Sequence, residues 1–250
     1  MTLARNSVVV VTGGASGLGR ATCRRFAEEG ARAVIVADLQ PEPREGGETS
    51  IDIVTGLGAK ARFVRTDVTQ AADVGLAIQA AEEFGGVTTL VTFAGILQNG
   101  PFLDIDEDTL DKVLAINVKG SFLIAQAAAR SMIAGGRHGS IVLVSSIGGA
   151  RGSGASVAYS ASKGAVMLMA HAMADALASD GIRVNVLHPG LIRTAMTEGV
   201  DADELGWRIA LDRPGRAEEV ANAALFLSSP LASYVTATSL LVDGGMVNIL

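Results

Sequence analysis

Seven short runs of apolar, largely β-branched residues punctuate the chain: Ser7–Val11, Ala33–Ala37, Ala61–Thr66, Val87–Phe93, Ser140–Ser145, Arg183–Leu187 and Ser239–Val242. The first, Ser7–Val11, is continuous and β-branched, as expected of a strand buried on both faces of a parallel sheet, because a half-solvated strand would alternate apolar with polar. Between the runs, apolar positions recur at helical spacing over about residues 20–29, 68–84, 107–134, 157–179 and 217–228. Residues 40–58 are polar, with Pro41, Pro43 and the Gly46-Gly47 pair in front, and predict a surface loop followed by a helix. Residues 191–214 keep no clean period and mix Met196 and Trp207 with several charges, which suggests a flap or helical lid. Strands alternate with helices throughout, so the prediction is an α/β fold with a doubly wound parallel sheet of about seven strands and helices on both faces. No repeat or low-complexity linker divides residues 1–250, and a single domain is expected.

Two stretches carry candidate chemistry. The first strand runs into Thr12-Gly13-Gly14-Ala15-Ser16-Gly17-Leu18-Gly19 and then a helix. That order aims free backbone N–H groups and the positive end of the helix at a phosphate, and glycines let the backbone approach it. A glycine turn without a ligand is the competing reading; the next strand weighs against it. Asp38 stands at that strand's end, 19 residues after Gly19, close to the spacing at which an acid bonds the ribose hydroxyls of a dinucleotide. The second stretch runs from Ser146 to Lys163, and four of its residues before Tyr159 are glycine. Tyr159 and Lys163 are four apart on a predicted helix and share a face. An ammonium ~4 Å away at an effective dielectric of ~20 favours the phenolate by roughly 4 kcal/mol, before desolvation of the lysine is subtracted. A lowered phenol pKa and a serine bonding the same substrate oxygen are therefore expected; taken alone, Tyr-x-x-x-Lys reads first as a surface helix pair, and it is what precedes it in the chain that weighs against that.

Composition narrows the classes. With 49% hydrophobic residues and 30 glycines among 250, the chain suits a compact, loop-rich enzyme. A net charge of −6 without a long basic run argues against nucleic acid as a partner. No apolar stretch approaches the ~18 residues of a membrane span, no signal peptide is apparent, and the lone Cys23 suits a reducing compartment, so a soluble cytoplasmic protein is expected. Cys23 falls on an apolar helical position and reads as core. His138, His171 and His188 show no metal-ligand spacing, and no metal is expected. The acids Asp104, Asp106, Glu107 and Asp108 at the head of a helix are explained by its dipole.

Taken together, these motifs resemble the short-chain dehydrogenase/reductase family over nearly the whole chain, and the resemblance implies a Rossmann-like fold. It implies a cofactor loop at Gly13, Ser16, Gly17, Leu18 and Gly19, with Asp38 as the acid that selects NAD and Leu39 beside it among the cofactor-binding residues. Asp67 and Val68 match the pair beside adenine, and Ala94 and Gly95 lie against the cofactor. Pro189, Gly190, Ile192 and Thr194 match the segment holding the nicotinamide carboxamide. Asn117, Ser146, Tyr159 and Lys163 match the catalytic tetrad, including the 13-residue step from serine to tyrosine. In the roles the family implies, Tyr159 exchanges the proton, Ser146 steadies the substrate oxygen, Lys163 bonds the nicotinamide ribose, and Asn117 positions a water. The chain departs from the family at Thr92-Phe93, where two asparagines usually precede Ala94-Gly95.

The expected function is an NAD-dependent dehydrogenase interconverting a secondary alcohol and its ketone, with an apolar or cyclic, hydroxysteroid-like substrate. Leu191, Met196 and Trp207 are candidates for the substrate pocket, Trp207 equally for packing or an interface. A 3-oxoacyl-[acyl-carrier-protein] reductase is the alternative; Arg151, Arg193, Arg208 and Arg213 would surround its entrance, while Asp38 and the net charge oppose it. A third reading is a non-catalytic NAD-binding regulatory protein. By the resemblance, a homotetramer is expected, joined through the helices near Asn117 and Tyr159 and the apolar C-terminal segment.

Overall fold

The computed structural model describes residues 2–197, 199 and 208–247. The first half runs β1 (Val8–Thr12), α1 (Gly17–Glu28), β2 (Ala33–Asp38), α2 (Ser50–Gly56), β3 (Lys60–Arg65), α3 (Ala71–Glu82) and β4 (Thr89–Thr92). The second half runs α4 (Glu107–Leu114), α5 (Ser121–Ala134), β5 (Ser140–Val144), α6 (Ile147–Arg151), α7 (Val157–Leu177), β6 (Arg183–Pro189), β7 (Ile192–Arg193), β8 (Gly215–Arg216), α8 (Ala217–Ser228) and β9 (Ser239–Val242). Seven strands form one parallel sheet in the order β3-β2-β1-β4-β5-β6-β9, and β7 and β8 pair as a separate two-stranded ribbon. The order reverses between β1 and β4, where an open α/β sheet leaves a crevice at the strands' carboxyl ends.

The continuous apolar strands are explained by two cores, one on each face. Val8 and Val10 of β1, Ile35 of β2 and Ile141 and Leu143 of β5 pack with apolar residues of α3, α5 and α7. Their neighbours Val9, Val11, Val34, Val142 and Val144 pack on the other face with α1 and α8. Successive side chains of a strand point to opposite faces, so every position of β1, β4 and β5 is buried, while the edge strands β3 and β9 keep exposed or half-buried positions.

Several elements differ from the sequence reading, and four of the differences bear on the site. β4 starts at Thr89 rather than Val87, since Thr88 already ties itself to β1, its hydroxyl accepting the Val8 N–H at 2.9 Å. α1 starts at Gly17, so the last glycines of the turn belong to the helix. The small-residue run after Ser146 contains the short helix α6, started by the Ser146 hydroxyl accepting the Gly148 N–H at 3.1 Å. The helix expected over 107–134 is interrupted by a π-helical turn at Ala115–Gly120. Within it, a Cβ at Gly120 would lie 2.6 Å from the Val68 methyl, so glycine lets the turn lie against the corner after β3.

Of the expected lid, β7, a 3₁₀ turn at Ala195–Thr197 and residues 208–214 are described; Trp207 lies outside the described residues. Among the described residues, no helix is long and apolar enough to cross a membrane.

Candidate active site

The strands' carboxyl ends and the turns after them enclose a cavity of about 950 Å³. At its floor lies the turn between β1 and α1. Gly13 adopts φ +66°, and a Cβ there would stand 2.8 Å from the Ala94 backbone nitrogen, so glycine is what allows the turn to touch the end of β4. Ser16, Gly17, Leu18 and Gly19 continue along the same wall. Asp38, the last residue of β2, fixes this turn: one carboxylate oxygen accepts the Ala15 N–H at 3.0 Å, the other the Leu39 N–H at 2.8 Å. Asp67 and Val68 follow β3 into the cavity. Hydrogen bonds from the Thr69 hydroxyl and N–H, at 2.7 and 2.9 Å, hold the Asp67 carboxyl below its ordinary pKa.

Ala94 and Gly95 leave β4 at the centre of the cavity. The two missing asparagines are compensated by threonines of the sheet itself. Thr92 Oγ1 accepts the Val144 N–H at 3.2 Å, Thr12 Oγ1 accepts the Ala94 N–H at 3.3 Å, and Phe93 packs against the core of α1 and α8.

The opposite wall is built by β5, α6 and α7. Ser145 anchors α7 by donating to the Lys163 carbonyl at 2.8 Å, and Ser146 caps α6 next to it. Tyr159 and Lys163 come from successive turns of α7, with Nζ 5.7 Å from the centre of the phenol ring. Lys163 is buried and donates to the Val144 carbonyl at 2.9 Å. Burial pushes its pKa down to about 8. The expected lowering of the tyrosine pKa is corrected here. The ammonium stands over the ring and serves a carbonyl, while burial raises the Tyr159 pKa and hydrogen bonding with Ser146 pulls it only partly back.

Asn117 alone of the predicted site residues lies behind the wall rather than on it. It sits in the π turn, fully buried, with Oδ1 accepting the Ile96 N–H at 2.9 Å and Nδ2 donating to the Ile96 carbonyl and Ser162 Oγ, each at 3.0 Å. Its side chain therefore bonds backbone, as the plain reading of a mid-helix asparagine has it, but across the cavity wall rather than within its own helix.

Pro189 ends β6, Gly190 donates to the Val242 carbonyl at 3.0 Å, and Ile192 and Thr194 line the cavity beside Leu191 and Met196. Sequence reasoning assigned no role to His188, which is buried and bonds the site directly. Its Nδ1 lies 2.9 Å from the Ser146 carbonyl and its Nε2 3.2 Å from Ser239 Oγ, which His171 also reaches at 3.2 Å. Burial lowers the His188 pKa, so the neutral ring donates Nδ1–H to that carbonyl. Cys23 is buried, and burial pushes its thiol pKa up, as befits a core residue. Of the arginines expected around the entrance, Arg151 lines the cavity, while Arg213 is paired with Glu219 at 2.7 and 3.0 Å.

The cavity suits a dinucleotide on the chain's own features. Its volume lies at the upper end of the roughly 300–1,000 Å³ range of ligand pockets. A glycine turn that excludes Cβ atoms lies at one end and the Ser146–Tyr159–Lys163 group on the facing wall. Known proteins resemble the chain over nearly its whole length. A family model described as enoyl-(acyl carrier protein) reductase matches residues 13–247. The chain is 40% identical to a 2,5-dichloro-2,5-cyclohexadiene-1,4-diol dehydrogenase of Sphingobium indicum, covering 95% of each chain. It is 38% identical to an L-2,3-butanediol dehydrogenase of Corynebacterium glutamicum, covering 97% of this chain and 99% of the other. A crystal structure of a short-chain type dehydrogenase/reductase from Mycobacterium marinum superposes with a TM-score of 0.91 at 35% identity, covering 98% of this chain and 97% of that one. The chain therefore belongs to the short-chain dehydrogenase/reductase family, oxidoreductases that act on CH–OH groups with a nicotinamide cofactor.

Proposed function

We propose that this protein is an NAD-dependent dehydrogenase that oxidises a secondary alcohol, cyclic or otherwise apolar, to its ketone. One observation carries the reading: Ser146, Tyr159 and Lys163 share one wall of a cavity whose other end is closed by a glycine turn braced by Asp38. A nicotinamide dinucleotide bound there supplies the hydride acceptor. Tyr159 takes the proton of the substrate hydroxyl as the C–H bond breaks, and Ser146 donates to the oxygen that becomes a carbonyl. Lys163 holds the ribose end and, in its charged form, opposes the rise in tyrosine pKa that burial causes. Asn117 keeps the Ile96 backbone, part of the cavity wall, in register with α7. The Asp38 carboxylate accepts hydrogen bonds from ribose hydroxyls and disfavours an added phosphate, which is the argument for NAD over NADP. The substrate class draws support from the relatives, named for a cyclohexadiene diol and a butanediol, and from Leu191 and Met196 in the wall. The protein is expected to work in the cytoplasm as a homo-oligomer.

A second reading, a reductase of acyl thioesters on a carrier protein, is favoured by the description of the matching family model. The pairing of Arg213 with Glu219 takes one cation from the basic rim such a partner would need. Initial rates with NAD and a panel of cyclic and acyclic secondary alcohols, beside acetoacetyl and crotonyl thioesters with NADH and NADPH, separate the two. The expected result is NADH production from alcohols. Tyr159→Phe should keep NADH affinity and lose at least about 10²-fold in turnover, within the range of acid–base contributions. Turnover at half the wild-type rate would overturn the tyrosine's role, and activity confined to thioesters would favour the second reading.

A further inference from the structure

The connection from β2 to α2 folds back over the glycine turn. The Glu45 carboxylate accepts the Gly17 N–H at 2.8 Å, and the Arg44 N–H donates to Ser16 Oγ at 2.9 Å. Arg20, in the first turn of α1, donates to Glu45 at 3.4 Å and to the Glu48 carbonyl at 2.5 Å. Glu45 lines the cavity, and its side chain keeps 30% of its exposure against 19% for Arg20. Arg20 Nε is buried and has no partner among the described residues.

Asp38 occupies the Ala15 N–H and Glu45 the Gly17 N–H, so two carboxylates sit on alternate donors of one turn. Donors two residues apart are at most about 7 Å from each other. The positive end of a helix ordinarily draws an anion from solution; here the chain supplies two of its own. Glu45 also neutralises Arg20, whose guanidinium, with one nitrogen unpaired, is otherwise suited to a phosphate.

We propose that Glu45 is a second selectivity residue of the dinucleotide site, acting with Asp38 to close the adenosine end against a 2′-phosphate and keeping Arg20 from receiving one. The proposal rests on the dinucleotide reading above. A phosphomonoester brings about −1.5 to −2 charges to a place already holding two carboxylates, whereas ribose hydroxyls are uncharged donors that carboxylates accept. This is discrimination by repulsion as much as by fit. Arg44 brings a positive charge on the same strap but is held by its backbone; its side chain makes no hydrogen bond or ion pair among the described residues.

The test is calorimetric titration of NAD, NADP, 5′-AMP and 2′,5′-ADP into wild type, Glu45→Gln, and Glu45→Gln combined with Arg20→Gln. Glutamine keeps the acceptor oxygen for Gly17 and removes only the charge, and Glu45→Ala replaces it should that variant not fold. Glu45→Gln should tighten NADP and 2′,5′-ADP by about ten-fold while NAD and 5′-AMP stay within about two-fold, and the gain should shrink when Arg20 is also replaced. An unchanged NADP-to-NAD ratio overturns the proposal. Equal tightening of all four ligands overturns it too, since Glu45 would then compete with the whole nucleotide. A wild type that binds neither dinucleotide defeats the underlying dinucleotide reading, and the proposal with it.

Discussion

Lys163 keeps only 6% of its surface exposed, and among the described residues its ammonium has one hydrogen-bond partner, the Val144 carbonyl. Its pKa falls from 10.5 to about 8, so the unfolded chain binds more protons than the folded one between those values. Stability attributable to this group is therefore lowest below pH 8 and recovers as pH rises toward 10.5. The full penalty is on the order of 3 kcal/mol, offset in part by the carbonyl bond. Lys163→Met should accordingly be more stable than wild type by about 1–2 kcal/mol at pH 7 without cofactor, and the difference should fade by pH 10. Urea denaturation of both proteins at the two pH values measures it, and a gap independent of pH would count against the buried charge. A residue that destabilises the empty fold while facing the site is better explained by binding than by packing. The sequence could place Tyr159 and Lys163 on one helix face, but not the sign of the tyrosine shift. That sign depends on how completely the folded chain buries the phenol, which the pattern of one helix does not record.

The interrupted helix from Glu107 to Ala134 has a similar lesson at the next scale. Its ends and its apolar face were readable, because a 3.6-residue period survives one irregular turn. The π turn itself was not, since one extra residue per turn leaves no mark in a hydrophobic pattern. It brings Asn117 to Ile96, where one amide satisfies a backbone N–H and a backbone carbonyl at once. Asn117→Ala should leave those two groups without this partner and take one donor from Ser162, whose hydroxyl keeps its bond to the Tyr159 carbonyl at 2.7 Å, and cost about 2–4 kcal/mol. It should also lower turnover, because Ile96 and its neighbours form the cavity wall. Thermal denaturation beside kcat checks both, and normal stability with normal turnover would leave the clamp without consequence. The inner strands β1, β4 and β5 were legible because double-sided burial writes itself as apolar runs, whereas the edge strand β3, with Arg62 and Arg65 exposed, was legible from its place between two helices. The strap at Arg44 and Glu45 was not, because a loop's polar residues look alike until the fold shows which backbone donors they meet.

At the scale of the whole molecule, the two cores are closed by helices whose outer faces are less polar than solvent alone would require. Leu110 on α4, Phe122 on α5 and Leu168 on α7 remain 38%, 41% and 64% exposed. Large apolar side chains left exposed on three helices are available to an association surface. Light scattering should therefore give a mass that is a multiple of 25.5 kDa, and Phe122→Glu with Leu168→Glu should lower it. A monomeric wild type would remove the oligomer from the proposed function. A different freedom belongs to the segment between β7 and β8. Ile192 pairs with Gly215 and Arg193 with Arg216 in parallel, so the chain leaves at one end of a ribbon only two residues long and rejoins at its other end. Because the closure of that loop is secured by the ribbon, its length adds little to the cost of folding; each doubling adds only about 0.6 kcal/mol. The segment is thus a place where insertion, deletion or transplantation from a relative can rewrite which alcohols are accepted, with the catalytic wall inherited unchanged.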